Sequence, residues 1–280
     1  MIEPIPVDRI PLGEILQVLI YARHFDNRLS SQDQKAIIKY VNQFNAAGST
    51  GKQKCIVRNI VHLAAMNQDS SELIGQLLEN GGDANALDSY CLTPVHVATQ
   101  NSSKVAVEIM HKLLTHGGSP NMATKWGRSP VHLVSQTCSI QSVDMLRMLL
   151  NAAGDPNVVD CNGLTPIHLA AKNMCSTSPK IVEELLAKGG RVNVKDKNGC
   201  SPVHCVARNL SSAAPDILRM LLVKAADTSL KDHFGLTALD YAASNISVWG
   251  PEVYQMLVAN KRTTSTMNGC VISWFLVNSF

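Results

Sequence analysis

The chain has 280 residues, a length that suits either about two average domains or one elongated array of stacked repeats. Hydrophobic residues make up 45% of it and charged residues 17%, which argues against a disordered chain, and an aromatic content of 5% predicts an aliphatic core. The net charge of +3, from 25 basic and 22 acidic side chains, is too balanced for a dedicated nucleic-acid-binding protein.

Two further features of the sequence bear on its location in the cell. No apolar run approaches the about 18 to 20 residues that span a bilayer, and Met1-Ile2-Glu3-Pro4 lacks the order of a secretory signal. We therefore expect a cytoplasmic or nuclear protein without a membrane span. The eight cysteines include no Cys-x-x-Cys pair, so reduced thiols are expected, and neither a disulfide nor a bound metal is predicted.

Residues 1–53 contain two helical patterns, Leu12 to His24 and Ser31 to Phe44. We interpret them as a helical cap on the middle of the chain, with a separate partner-binding helix as the alternative. The stretch Ala46 to Gln53 resembles a phosphate-binding loop, but Gly is missing at its first position and Ser or Thr at its last, and a helix precedes it instead of a strand. It is predicted to be a flexible linker.

An internal repeat with a step of 36 residues occupies the middle of the chain. The first sign is a phrase of Thr or Ser, Pro, a β-branched residue and His, which stands at 93–96, 129–132, 165–168 and 201–204. A Leu-Leu pair recurs with the same step from Leu77-Leu78 to Leu221-Leu222, and Leu257-Val258 continues it. A third series follows small Gly or Ala pairs and consists of Asn85, Asn121, Asn157, Asn193 and Ser229.

The local chemistry predicts the same fold for every unit. Thr165 is placed to cap a helix whose first turn contains Pro166, and His168, three residues after the cap, can meet the Thr165 hydroxyl. After a loop, a second amphipathic helix ends at Gly189-Gly190. Each unit is thus a turn, a short helix, a loop and a second helix, and the fold class is an all-α repeat solenoid with hairpin-like turns.

The phrase Asp-x-x-Gly-x-Thr-Pro-x-His-x-Ala, followed by Leu-Leu and Gly-x-x-x-Asn, resembles the ankyrin repeat over about residues 54–262. Its step exceeds the usual length of about 33 residues, and the extra residues fall between the two helices. Terminal repeats deviate, as expected where a neighbour is missing on one side. The resemblance implies six repeats, at approximately 54–87, 88–123, 124–159, 160–195, 196–231 and 232–262, and a short apolar tail follows at 263–280.

The same resemblance bears on catalysis. It implies that the repeat histidines serve the fold, by bonding the helix start and the adjoining turn: His62, His96, His132, His168 and His204. No Ser-His-Asp or paired-carboxylate arrangement has local support, so no enzyme, catalytic residue or cofactor is predicted. Three Asn-x-Ser sequons, at Asn101, Asn209 and Asn245, fall at one loop position and are interpreted as loop composition only.

The resemblance further implies that partners dock on the turn tips and first helices, which form a concave face. The tip pairs are Ser89-Tyr90, Lys125-Trp126, Cys161-Asn162, Lys197-Asn198 and His233-Phe234. Three of these five pairs carry an aromatic ring, and exposed aromatic side chains are enriched at binding hot spots. The alternative is that each ring lies against its own hairpin. The predicted partner-binding residues are Tyr90, Trp126, Phe234, Lys125, Lys197, His233, Gln100, Gln136, Lys172 and Arg208.

We therefore expect a monomeric, non-enzymatic scaffold or adaptor that binds another protein on the concave face. One alternative is a substrate-recruiting subunit of a ubiquitin ligase, in which residues 1–53 would have to contact the ligase. Another is the repeat portion of a larger channel, kinase or acyltransferase, with Gly269 to Phe280 as the start of a hydrophobic segment.

Overall fold

The computed structural model describes residues 60–67 and 71–266, with four isolated helical positions before them, Gln32, Lys35, Ile37 and Ile38. Those four positions fall within the predicted helix from Ser31 to Phe44. The rest of that helix, the helix predicted from Leu12, the linker from Ala46 and the tail from residue 267 onward lie outside the described residues. The chain divides into two compact units, 1–161 and 162–280.

The first unit is built from pairs of helices, each with a short inner helix and a longer outer helix. A helical segment at 60–65 precedes α1 (Glu72–Glu79), α2 (Pro94–Ala98), α3 (Ala106–Thr115), α4 (Pro130–Gln136) and α5 (Ser142–Asn151). The inner helix α2 packs against the next inner helix, α4, and the outer helix α3 packs against both α1 and α5. Each layer of helices therefore continues from one repeat to the next.

The second unit repeats this arrangement with three complete pairs. Its helices are α6 (Pro166–Lys172), α7 (Ser178–Ala187), α8 (Pro202–Ala207), α9 (Ala214–Val223), α10 (Ala238–Ala243) and α11 (Gly250–Thr266). The inner helices α6, α8 and α10 pack in series, as do the outer helices α7, α9 and α11. Among the described residues the nearest approach to a strand is an isolated bridge between Lys231 and Thr237. The fold is an all-α repeat solenoid.

The Leu-Leu series forms the core between the layers. The first leucine of every pair and its continuation are at most 1% exposed: Leu77, Leu113, Leu149, Leu185, Leu221 and Leu257. Burying a leucine side chain stabilises a fold by about 1.5 to 3 kcal/mol, so each leucine of the series contributes to the stability of its own repeat.

The repeat histidines join each inner helix to the following turn. In the second repeat the Thr93 backbone N–H donates to His96 Nδ1 at 3.0 Å, and His96 Nε2 donates to the Arg128 carbonyl at 3.1 Å. The ring is neutral in this arrangement, because Nδ1 accepts while Nε2 donates. Burial accordingly lowers the pKa of His96 to about 4. His62, His168 and His204 make the equivalent bond to Leu92, Cys200 and Leu236.

The asparagine series links the end of one outer helix to the next repeat. The Asn85 amide donates to the Gly117 carbonyl at 2.8 Å, and its Oδ1 accepts the Ser119 N–H at 2.7 Å. Asn121 and Asn193 repeat the same pair of bonds. Just past the ends of α3, α5 and α9, one amide side chain thus satisfies a backbone donor and a backbone acceptor.

The sequon asparagines have a structural role that sequence analysis missed. The Asn101 amide donates to the carbonyls of Ala65 and Asn67 at 3.2 and 2.9 Å, and its Oδ1 accepts the Ser103 N–H. Asn209 and Asn245 do the same in the second unit. Interpreting them as loop composition only was wrong, since each amide ties its loop to the preceding inner helix.

The expectation of reduced thiols throughout is also wrong. Cys138 and Cys175 are both disulfide-bonded. Each lies in a loop between an inner and an outer helix, where Cys138 is exposed and Cys175 half-buried. Such loops leave thiols open to oxidation, and cysteines on separate loops form no closely spaced pair in the sequence. Cys91, Cys161, Cys200 and Cys205 are free.

Candidate partner-binding site

The tips, here the turns that join successive repeats, are stabilised by side-chain and backbone hydrogen bonds. Asp88 Oδ1 accepts the N–H groups of Tyr90 and Leu92, both at 2.8 Å, and closes the first described tip. The Lys125 N–H then donates to the Tyr90 carbonyl at 3.2 Å, which ties one tip to the next. This geometry fixes the tip backbone, on which Tyr90 is half-exposed.

Glycine is favoured where the tip of Trp126 meets the next tip. Gly127 has φ +74°, and a Cβ there would lie 3.0 Å from the backbone nitrogen of Cys161. That nitrogen donates to the Trp126 carbonyl at 2.9 Å, so a side chain at Gly127 would push apart the hydrogen-bonded tips.

Tyr90 and Trp126, on neighbouring tips, stack on each other. Their ring centroids are 6.0 Å apart with an interplanar angle of 14°, and the Lys125 ammonium lies 5.6 Å from the centre of the Tyr90 ring. Tyr90 is 50% exposed and Trp126 52% exposed, so the outer parts of both rings face solvent. The structure therefore brings three of the predicted site residues together into one aromatic cluster with a positive charge.

Sequence analysis did not select Arg128, which follows Trp126 by two residues. Arg128 contacts the buried Asp160 carboxylate at 3.3 Å through Nε and donates from Nη1 to Gln136 Oε1 at 3.1 Å. The predicted site residue Gln136 is thereby oriented by a charge from its own repeat. Gln100, the equivalent residue one repeat earlier, is exposed just beyond the end of α2.

In the second unit, three predicted residues line one groove of about 400 Å³ between the tips and inner helices: Lys172, Arg208 and Phe234. Sequence analysis missed Tyr241 and Met174, which line the same groove. The Arg208 guanidinium lies 5.1 Å from the centre of the Tyr241 ring. The spacing of the repeat places residue 241 on the groove side of α10. A tyrosine occurs there in this repeat only, because the equivalent residues of the earlier repeats are Val97, Leu133, Leu169 and Cys205.

The remaining predicted residues lie at the tips. Lys197 and His233 are exposed there, and Phe234 is 79% exposed. The Lys197 N–H donates to the Asn162 carbonyl and the His233 N–H to the Asn198 carbonyl, both at 2.9 Å. Their backbones therefore follow the pattern of the first unit, although no ring of the second unit has a stacked tip neighbour among the described residues.

The two thiols in the groove, Cys200 and Cys205, are unreactive near neutral pH. Cys205 is buried, and its burial raises the pKa to about 12. Burial also raises the pKa of Cys200. Because the thiolate is the reactive form, neither group is poised for nucleophilic chemistry near neutral pH. Over the described ranges no three His, Cys, Asp or Glu side chains lie close enough together to hold a metal ion. No described helix is long and apolar enough to cross a membrane.

A family model described as ankyrin repeats in three copies matches residues 61–159, 103–196 and 174–267. The chain belongs to the ankyrin-repeat family. Among solved structures, the crystal structure of EF0377, an ankyrin repeat protein, superimposes with a TM-score of 0.61 at 22% identity, covering 72% of this chain and 97% of that one. At this identity the likeness shows a shared fold. A search of curated proteins finds no significant match.

Membership of this family fits the character of the site. Ankyrin repeats are generally protein interaction modules, and the fold is typically non-catalytic. The aromatic cluster and the groove both lie on the tip and inner-helix side of their repeats, the side on which the predicted binding residues were placed.

Proposed function

We propose that this chain is a non-enzymatic scaffold or adaptor that binds a partner protein on the concave face formed by its tips and inner helices. The observation that supports this most is the Tyr90–Trp126 stack. Two large rings are held half-exposed at neighbouring tips, each in contact with the other. A protein gains little stability from such an arrangement in water, whereas tyrosine and tryptophan are among the side chains most enriched at binding hot spots.

Rigidity adds to the argument. The rings are anchored to a backbone whose turns are closed by Asp88 and Thr124 and joined by the bond from Lys125 to Tyr90. A pre-ordered surface loses less conformational entropy on association than a mobile one, so a rigid aromatic pair can contribute more of its contact energy to affinity.

Photo-crosslinking tests where the partner lies. A photoreactive amino acid is introduced at Ser89, an exposed tip residue beside Tyr90, and separately at Ile140, which is 80% exposed in the inter-helix loop of the same unit. Partner captured by the full chain should crosslink from Ser89 and not from Ile140. Crosslinking from Ile140 alone would place the binding surface on the loops and contradict the proposal.

A further inference from the structure

The groove of the second unit has a charge pattern that indicates what kind of partner segment fits it. This inference rests on the proposed function, because it concerns the same face, but it depends on different residues from the aromatic cluster. Lys172 and Arg208 occupy equivalent positions at the ends of neighbouring inner helices and both are exposed. Neither forms an ion pair with any described residue.

The two carboxylates of the groove region are turned inward. Asp196 Oδ1 accepts the N–H groups of Asn198 and Cys200 at 2.9 and 2.8 Å. Asp232 Oδ1 accepts two tip N–H groups, while its Oδ2 accepts the Tyr241 hydroxyl at 2.6 Å. Both aspartates are buried. Their negative charge is therefore stabilised by internal donors, and the charges left facing a ligand are positive.

Tyr241 holds the arginine in a favourable orientation. Its hydroxyl is fixed by Asp232, which raises the pKa of Tyr241 to about 12, and its ring supports the Arg208 guanidinium at 5.1 Å. A guanidinium placed over a ring face keeps the N–H donors at its edge available, and these donors match the two oxygens of a carboxylate.

The groove also offers apolar contacts beside these charges. Met174 is 63% exposed and Phe234 79% exposed, and both line the same groove as the two cations. We propose that the groove binds a peptide segment of a partner protein in which an Asp or Glu side chain stands next to a large apolar residue. The carboxylate contacts Arg208 and Lys172, and the apolar side chain packs on Met174 and Phe234.

Peptide selection tests this directly. A phage-displayed library of random peptides is selected on the full wild-type chain and on Arg208→Glu, and the affinity of the selected peptides is measured by fluorescence anisotropy. The wild-type chain should enrich acidic residues beside apolar ones, and Arg208→Glu should bind those peptides at least about tenfold more weakly. Arg208→Lys should fall between the two, because it keeps the charge without the planar donor edge.

The matched control is Lys180→Glu, which makes the same kind of charge change on the exposed side of the outer helix α7. It should bind the selected peptides as the wild type does. If the urea midpoint of Arg208→Glu is lowered, Lys172→Glu repeats the charge reversal away from Tyr241, with the same loss of affinity expected.

The outcomes separate this inference from the proposed function. Selected peptides without an acidic bias, or acidic peptides that bind Arg208→Glu and Lys172→Glu as well as the wild type, overturn the inference. If such peptides nevertheless lose affinity for Trp126→Ala, the proposed function stands and only the groove assignment fails. Peptides insensitive to all three substitutions contradict both.

Discussion

The two units share one scaffold and differ in the surface that it presents. In the first unit, residues 1–161, the exposed feature is a stacked pair of rings at the tips. In the second unit, residues 162–280, Asn198 occupies the tip position that Trp126 occupies two repeats earlier. The exposed feature of this unit is a groove with two cations. The comparison shows that the exposed surface of each unit differs at a few positions that the repeat leaves free.

The internal chemistry is common to both units. The buried leucine, the histidine that joins helix to turn and the asparagine at the helix end recur in both, and the bond to the next turn is 3.1 Å from both His96 and His168. Substitutions at equivalent positions, and a change of pH, test how far this equivalence extends.

The largest expected effect concerns the core. Leu113→Ala in the first unit and Leu185→Ala in the second should each lower the free energy of unfolding by about 2 to 5 kcal/mol, because both side chains are fully buried between helix layers. The exposed control Lys197→Ala should change it by less than about 0.5 kcal/mol. Urea unfolding measures all three. If Leu185→Ala lowered the free energy of unfolding no more than Lys197→Ala does, the repeat register would be wrong.

The second expected effect is a loss of stability at low pH in both units. The pKa of His96 is lowered to about 4 by burial, and burial also lowers the pKa of His168 and His204 in the second unit. As pH falls below about 6.5, the unfolded chain takes up protons that the folded chain excludes, so stability is present above that pH and lost on the way down to pH 4. For His96 alone the loss is about 3 kcal/mol.

Urea midpoints measured between pH 7 and pH 4 give the stability, and proton NMR of the histidine rings gives the titration. If His96 titrated near 6.5, its ring would not be a buried neutral link between helix and turn. If only one unit lost its fold with acid, the two histidine series would not be equivalent.

The smallest effect concerns backbone conformation. Cys91 in the first unit and Ala225 in the second have φ of 59° and 57°, where most other repeats have glycine. Cys91→Gly and Ala225→Gly should each raise stability by about 0.5 to 1 kcal/mol, since the relief of left-handed strain exceeds the entropy that glycine adds to the unfolded chain. The control Ala152→Gly, at an ordinary φ of −81°, should be destabilising. Stabilisation by all three would point away from strain as the cause.

Sequence reasoning predicted the scaffold well because the same residues recur at the same positions of most repeats. The cap formed by Thr165 and His168 is confirmed, with 2.8 Å between the Thr165 hydroxyl and His168 Nδ1, and so is the burial of the leucine series. A pattern that recurs at a fixed step can be distinguished from chance within a single sequence.

The site was less predictable, because its features occur once. The stacking of Tyr90 on Trp126 depends on ring orientations, and the arginine–tyrosine contact in the second unit joins residues 33 positions apart whose side chains occur in one repeat only. The disulfide-bonded cysteines were missed for the same reason, since neither Cys138 nor Cys175 belongs to a repeated motif.

The most direct test of the central claim is the affinity of Trp126→Ala for the captured partner, with the urea midpoint of the same variant. Trp126 should contribute at least about 2 kcal/mol as a hot spot, so the affinity should fall about 30-fold or more while the midpoint stays within error of wild type. Combining Trp126→Ala with Tyr90→Ala should cost less than the sum of the single changes, because the two rings support each other. An unchanged affinity would show that the partner does not bind at the tips. A strongly lowered urea midpoint would show that the Trp126 ring is structural.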